Sequence, residues 1–357
     1  MSVTRRSFLQ AGLALGVAPV VLGACGTSEG GAGGAAKTIT MVTWGGSTQT
    51  GIQDTIAAPF QRQTGIPVRV TAPVDYGKYL AQIKSGELTW DWVDVEGWFA
   101  VAHSDDWEIL PASITSTTAS SLVQLPGGPK AVEPWGIENG SYSFAIAYRT
   151  DHGDPHPKSW REFFDTSALP GKRSIYNYPY GMLEVALLAD GVPFGSLYPL
   201  DIDRAIRKLN SVRGDLVFWN SGAELQQQLQ SGAAPFAFAW NNRAAALAQS
   251  GQPVALEWAQ NLQDIGYDVI PKNNPRKAEL ISLINFRAAP ENQVAYALAT
   301  GYSPASTVAM SKISADRAKW FNAYPPNLEQ AVGSINLDWW AKNFDTATSK
   351  WNAWANA

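Results

Sequence analysis

The sequence predicts an α/β protein built as two lobes on open, largely parallel sheets, and three observations carry that expectation. Short β-branched and aromatic runs alternate with helical periods along most of the chain, as in doubly wound sheets. Residues 37–357 exceed the roughly 250–300 residues at which a single core stops growing, so the chain should divide. Where the strands end, an aromatic residue recurs beside small polar ones, at the position where open α/β sheets hold ligands.

The elements follow in order. Residues 38–43 alternate as a strand; Ile52, Ile56 and Phe60 then recur at helical spacing until Gly65 stops the helix. Val68 and Val70 continue as a second strand. Tyr76, Leu80 and Ile83 mark a second helix closed by Gly86, and 90–95 is a third strand, which completes one βαβαβ unit. A second set begins with a strand over 143–148 and a helix opened by the capping box Ser159-Trp160-Arg161-Glu162. A strand over 173–176, helices over 181–189 and 201–212, a strand over 216–219, a helix over 223–230 and a strand over 235–239 come next. Beyond them lie a helix over 244–248, two separate strands near 254–257 and 267–270, a helix over 291–300 and a helical C-terminus from Asp338.

The first residues carry an address. Thr4-Arg5-Arg6-Ser7-Phe8-Leu9 is a twin-arginine export pattern ahead of an apolar run over 11–22. That run is shorter than the ~20 residues a membrane-spanning helix needs. It ends in Leu22-Gly23-Ala24-Cys25, which resembles the bacterial lipoprotein cleavage box and implies that 1–24 is a signal peptide and Cys25 the lipidated first residue. Cys25 is the only cysteine, so no disulfide can form within the chain. Residues 25–36, dominated by Gly, Ala, Ser and Thr, should form a flexible tether. The expectation is an exported protein in the periplasm or on the outer face of the cytoplasmic membrane, lipid-anchored at Cys25. Removing Arg5 and Arg6 from the 27 basic side chains leaves 25 against 31 acidic ones, a balance that excludes nucleic acid as a partner. The 15 tryptophans outnumber what such a core requires, so some should line a site.

The strand ends share one chemistry: Trp44-Gly45-Gly46-Ser47, Glu96-Gly97-Trp98, Asn177-Tyr178-Pro179-Tyr180, Trp219-Asn220-Ser221 and Trp240-Asn241-Asn242. Aromatic faces attract cations through the ring quadrupole, while Asn, Ser and free backbone groups fix orientation, so such walls suit an organic cation or a sugar. Asp94 and Glu96 share a strand face and would be the acid pair of a sugar-cleaving enzyme, but Asp94 sits in an apolar run and reads as a satisfied core acid. Gly153, Pro155 and Pro157 keep His152 and His156 from aligning on a helix, so no metal site is expected. His103-Ser104-Asp105-Asp106 cannot converge as a catalytic relay. Glycines 30–34 precede every strand, so no phosphate loop and no cofactor are expected.

Trp44 after the first strand, Trp90-Asp91-Trp92-Val93-Asp94-Val95-Glu96, Pro157-Lys158-Ser159-Trp160, Ala239-Trp240-Asn241, Val269-Ile270-Pro271-Lys272 and Gly301-Tyr302-Ser303-Pro304 occur in a telling order. From residue 38 to the C-terminus the chain resembles the bacterial extracellular solute-binding proteins of ABC importers, nearest the spermidine/putrescine-binding branch. The resemblance implies a type II periplasmic-binding-protein-like fold, with 37–143 plus 265–310 as lobe one, 144–264 plus 311–357 as lobe two, hinge strands crossing between them and ligand in the cleft. It implies a monomer that binds a polyamine or similar amine-bearing solute and delivers it to a membrane permease and its ATPase. By it, Trp44, Trp98, Trp240 and Tyr302 would sandwich the ligand beside Glu96, with Trp219, Asn241, Tyr178 and Asp268 in support. The chain departs from that branch in two places. The acidic pair expected after Tyr176 is replaced by Asn177-Tyr178-Pro179-Tyr180-Gly181, with Glu184 the first carboxylate, and Asp264-Ile265-Gly266-Tyr267-Asp268 stands where the branch has Trp-x-Asp. A doubly charged ligand without paired carboxylates is costly to desolvate. An amino acid, a γ-aminobutyrate-like zwitterion or an oligosaccharide therefore stays open as the ligand.

Overall fold

The computed structural model describes residues 38–119 and 121–357. The signal peptide, Cys25 and the tether lie outside the described residues.

The first βαβαβ unit forms as its pattern dictates. β1 (Ile39–Val42) is buried at every position and pairs in parallel with β2 (Val68–Thr71) and β3 (Trp92–Val93) in the order β2-β1-β3. Gly65, at φ 75°, closes the helix Ala58–Thr64, a conformation glycine adopts without steric cost. Asp75 caps the helix Tyr76–Ser85 by accepting from the Lys78 N–H at 2.9 Å. Ile39, Met41, Ile52 and Phe60 form a core with Leu280 and Ile284 from the helix Lys277–Ala288, which the periodicity did not mark.

The second sheet comprises β4 (Val95–Glu96), β5 (Val132–Glu133), β6 (Gly136–Arg149), β7 (Arg173–Tyr176), β8 (Leu216–Trp219), β9 (Phe236–Trp240), β10 (Val254–Val269) and β11 (Gly333–Ser334). Its order is β11-β10-β6-β9-β7-β8, with β4 on β10 and β5 on β6. This sheet is mixed rather than largely parallel, because β6 runs antiparallel to both β9 and β10.

β10 corrects the expectation of two separate strands near 254–257 and 267–270: it is one strand of 16 residues. Its polar middle reads as a loop in sequence, yet Asn261, Gln263 and Asp264 are buried with partners, which offsets the desolvation penalty. Asn261 donates to the Asn327 carbonyl at 2.9 Å, Gln263 accepts from Asn322 at 2.6 Å, and Asp264 accepts from the Tyr142 hydroxyl at 2.6 Å. β6 has 14 residues, and both strands are long against the usual 5–6. At one end the pair joins Val254 to Arg149 beside β9; at the other it meets β4, which directly follows β3. The two strands therefore run from one sheet to the other.

The C-terminal helix Leu337–Ala355 starts at Asn336, whose side chain accepts from the Trp339 N–H, and buries Trp340, Trp351 and Trp354. Several tryptophans are thus core: Trp92, Trp107, Trp160 and Trp219 are also fully buried. Among the described residues, no helix is long and apolar enough to cross a membrane.

Glu138, on β6, is buried with its Oε1 lacking any hydrogen-bond partner. Burial pushes its carboxyl from 4.5 up to about 8. A raised acid holds its proton in the folded state after the unfolded chain has lost it, so its contribution is complete below about 4.5 and declines as pH climbs toward 8. Glu138→Gln should therefore raise the thermal midpoint by roughly 3–6 °C at pH 8.5 and hardly move it at pH 4. Calorimetry at both pH values checks this; an equal shift at both would mean that packing, not ionisation, governs the site.

Candidate functional site

β1 runs out into Trp44, and Gly45 and Gly46, at φ 77° and 60°, turn the chain into the helix Ser47–Ile52. β3 gives way to Asp94 and then β4, which ends at Glu96. Trp240 closes β9. These ends converge with Tyr302 and the middle of β6, so that Trp44, Asp94, Val95, Glu96, Asn139, Tyr142, Trp240, Gly266 and Tyr302 surround one cleft. The atom-free space between them totals about 400 Å³ with its open mouth, but the enclosed cavity is only about 20 Å³, room for about one water. The walls are nearly in contact.

Those walls are aromatic and acidic. Tyr76 meets Trp44 and Trp98 edge-on, with ring centres 5.9 and 5.7 Å apart, and Tyr302 meets Tyr142 edge-on at 5.8 Å. Glu96, 8% exposed, accepts from the Trp98 indole at 2.9 Å. Burial pushes its carboxyl up to about 8, against the hydrogen bonds from Trp98 and Tyr76. Asp94, 6% exposed, is pushed up to about 7 by burial, although Arg287 and Arg243 pull it down, and its Oδ2 has no hydrogen-bond partner. Asp264 is likewise raised to about 7, by burial. Glu96 thus stands near both Asp94 and Asp264, each of which raises its carboxyl further, and of the three only Asp94 and Glu96 line the cleft, where a cation would offset the repulsion.

Of the residues singled out in sequence, Trp44, Glu96, Trp240 and Tyr302 line this cleft. Trp98 stands behind Glu96, stacked on Phe344 with ring centres 3.8 Å apart. Trp219 is fully buried, stacked on Tyr176 and edge-on to Trp240 at 4.9 Å, so it supports the wall rather than forming it. Tyr178 lies between Tyr176 and Phe344. Asn241 is spent on the Ser143 N–H and the Trp320 carbonyl, which pins its helix to β6. Asp268 is committed elsewhere: it pairs with Arg287 at 3.1 Å and accepts from the Trp92 indole at 2.7 Å.

Asp94 was read as a satisfied core acid, and its unpartnered oxygen at the cleft corrects that. Asn139 and Tyr142 were missed because the polar and aromatic mixture of 136–143 hides the inward alternation of β6. Arg243, on the helix Asn241–Gln249, was missed too. It is 4% exposed, donates to Ser47 Oγ at 2.9 Å and reaches the Gly45 carbonyl at 3.5 Å. Its place three residues after Trp240, one helical turn on, was the available signal. Among the described residues, no group of three or more His, Cys, Asp or Glu side chains could hold a metal ion.

Comparison with known proteins bears on the fold and the family. A γ-aminobutyric acid-binding protein of Pseudomonas aeruginosa is 27% identical over 330 residues, covering 89% of this chain and 91% of that protein. The structure of a GABA receptor superimposes with a TM-score of 0.81 at 36% identity, covering 89% of this chain and 97% of that one. A spermidine/putrescine ABC transporter substrate-binding protein from Streptococcus pneumoniae shares the fold, with a TM-score of 0.68 at 16% identity over 89% of this chain and 99% of its own. The two-lobe periplasmic-binding fold expected from the sequence is the one this chain adopts. Residues 55–325 match the family described as bacterial extracellular solute-binding protein, and the chain belongs to that family.

Proposed function

We propose that this substrate-binding component of an ABC importer captures a small solute bearing an ammonium group, of the γ-aminobutyrate kind, between Trp44, Glu96, Trp240 and Tyr302. The observation that supports this best is the carboxyl group of Asp94, buried at an aromatic-walled cleft with one oxygen unpartnered, near Glu96. An ammonium group satisfies such an oxygen and is attracted by the ring faces around it. The γ-aminobutyrate binding of the Pseudomonas relative and of the GABA receptor points the same way. A polyamine, the ligand first expected, has weaker support.

Because the enclosed cavity is about 20 Å³, entry requires the lobes to part. In this reading lobe one is 37–143 plus 265–310 and lobe two 144–264 plus 311–357, and they part by bending β6 and β10. Ligand favours the closed arrangement by its contacts to both walls. The permease then distinguishes loaded from empty protein by shape. The chain works as a monomer outside the cytoplasmic membrane, exported through its twin-arginine signal and tethered by lipid at Cys25, with no catalytic step and no cofactor.

Titrating the purified full chain with γ-aminobutyrate, putrescine and a neutral disaccharide, followed by calorimetry, tests the reading. Saturable binding of an ammonium solute with the disaccharide silent is expected. Disaccharide binding with both ammonium solutes silent would overturn it.

A further inference from the structure

Trp240 and Tyr302 both line the cleft, on segments far apart in sequence, and in each case the residue that follows is the one tied down. Asn241 accepts from the Ser143 N–H at 2.8 Å and donates to the Trp320 carbonyl at 3.2 Å. Ser303 exchanges both backbone hydrogen bonds with Ser141, at 2.8 and 3.1 Å, but as an isolated bridge outside any strand. With no neighbouring ladder bonds, such a bridge opens easily unless something else holds it.

Asn322 is what holds it. Its side chain accepts from the Ser303 hydroxyl and donates to Ser141 Oγ at 3.0 Å and to Gln263 Oε1 at 2.6 Å. The Ser303 hydroxyl in turn accepts from the Ala323 N–H at 3.1 Å. Asn322, Ser141, Ser303 and Gln263 are all fully buried, and both amide hydrogens of Asn322 are used. Breaking any bond of this circuit would strand a buried polar group, so the circuit is rigid. None of the four residues lines the cleft. The circuit nevertheless fixes the Tyr302 loop to β6 beside Tyr142, whose ring meets Tyr302 edge-on at 5.8 Å.

We infer that Asn322 is a positioning residue for the solute site: by tying Ser303 to β6 it sets the Tyr302 ring against Tyr142 before a solute arrives. This rests on the proposed binding of an ammonium solute in the cleft and deepens it. The Trp320 carbonyl acts in the same way on Trp240 through Asn241, so the short segment 320–322 braces both aromatic walls from behind. A wall already in place loses little entropy when it is used. Once Asn322 is removed, the solute itself must order the Tyr302 loop, and affinity falls although no contact to the solute has been deleted.

The test titrates the full chain calorimetrically with γ-aminobutyrate and with putrescine and follows whichever binds more tightly. Asn322→Ala should weaken that binding by about tenfold, the cost of ordering a loosened side chain and its loop, and Ser303→Ala, which cuts part of the circuit, by about threefold. In a chain that already carries Tyr302→Ala, the same substitutions should change affinity by less than about twofold, because the side chain they release is gone. A role confined to folding would lower the thermal midpoint and the binding stoichiometry but not the affinity of the molecules that fold. If Asn322→Ala fails to fold, Ser303→Ala carries the comparison. Folded variants with wild-type affinity, or losses equal with and without Tyr302, would overturn the role of Asn322 while leaving the cleft standing. Tyr302→Ala with wild-type affinity, or wild type binding neither probe, would overturn both.

Discussion

Replacing Trp240 by alanine should weaken solute binding by about a hundredfold, the loss expected when an aromatic anchor at the centre of a binding site is truncated. Trp240 is half-buried, lines the cleft and is held edge-on by Tyr176 and Trp219, with ring centres 5.1 and 4.9 Å away. Its indole is therefore fixed before any solute arrives, and little entropy is lost in using it. Truncation removes a wall rather than a core filler. The thermal midpoint should fall less than in Trp219→Ala, which empties a fully buried site and should cost about 3–5 kcal/mol. Calorimetric titration of both variants separates the two roles. Unchanged affinity in Trp240→Ala would remove the cleft as the binding site.

Affinity for an ammonium solute should rise by about tenfold or more from pH 6 to pH 8, since each carboxyl that must lose a proton contributes up to about tenfold per pH unit below its pKa. Glu96 holds its proton up to about 8 and Asp94 up to about 7 in the cleft, and an ammonium binds their ionised forms. The solute's own amine stays charged across this range, so the sign belongs to the protein. Glu96→Gln should lower affinity at pH 8 by about tenfold and flatten the profile, because the amide keeps the shape and can still accept from the Trp98 indole and the Tyr76 hydroxyl but cannot ionise. Titrations at pH 6, 7 and 8 decide it. A glutamine variant with the full wild-type slope would take Glu96 out of ammonium recognition.

Elements with clean periodicity were legible from the residues alone. β1, β2 and their helices carry apolar spacing and glycine stops that leave little choice. β10 was not legible, because its burial depends on Asn322, Asn327 and Tyr142, far away in sequence. The same distance effect divides the site. Trp44, Glu96 and Trp240 could be placed because strand ends face the cleft whatever their partners, and Tyr302 by the family resemblance alone. Asp268 was misassigned because its neutralising partner, Arg287, lies on the helix that the periodicity did not mark. Arg243 was passed over because a lone cation opening a helix normally points to water, and only the folded chain buries it between two lobes.

The pairing of β6 with β10 sets the direction in which this protein can move. Side by side over nearly their whole length, the two strands form a ribbon whose ladder resists shear and in-plane bending. It yields across its thin dimension and where the pairing slips register, between Glu257 and Leu262 and between Gly266 and Tyr267. Those slips soften the ribbon because local ladder bonds are missing there. An opening that bends this ribbon would therefore be a swing along a single coordinate rather than a free wobble. An empty molecule would then sample the same path that a loaded one retraces, and a partner on the membrane would need to measure only one distance across the mouth.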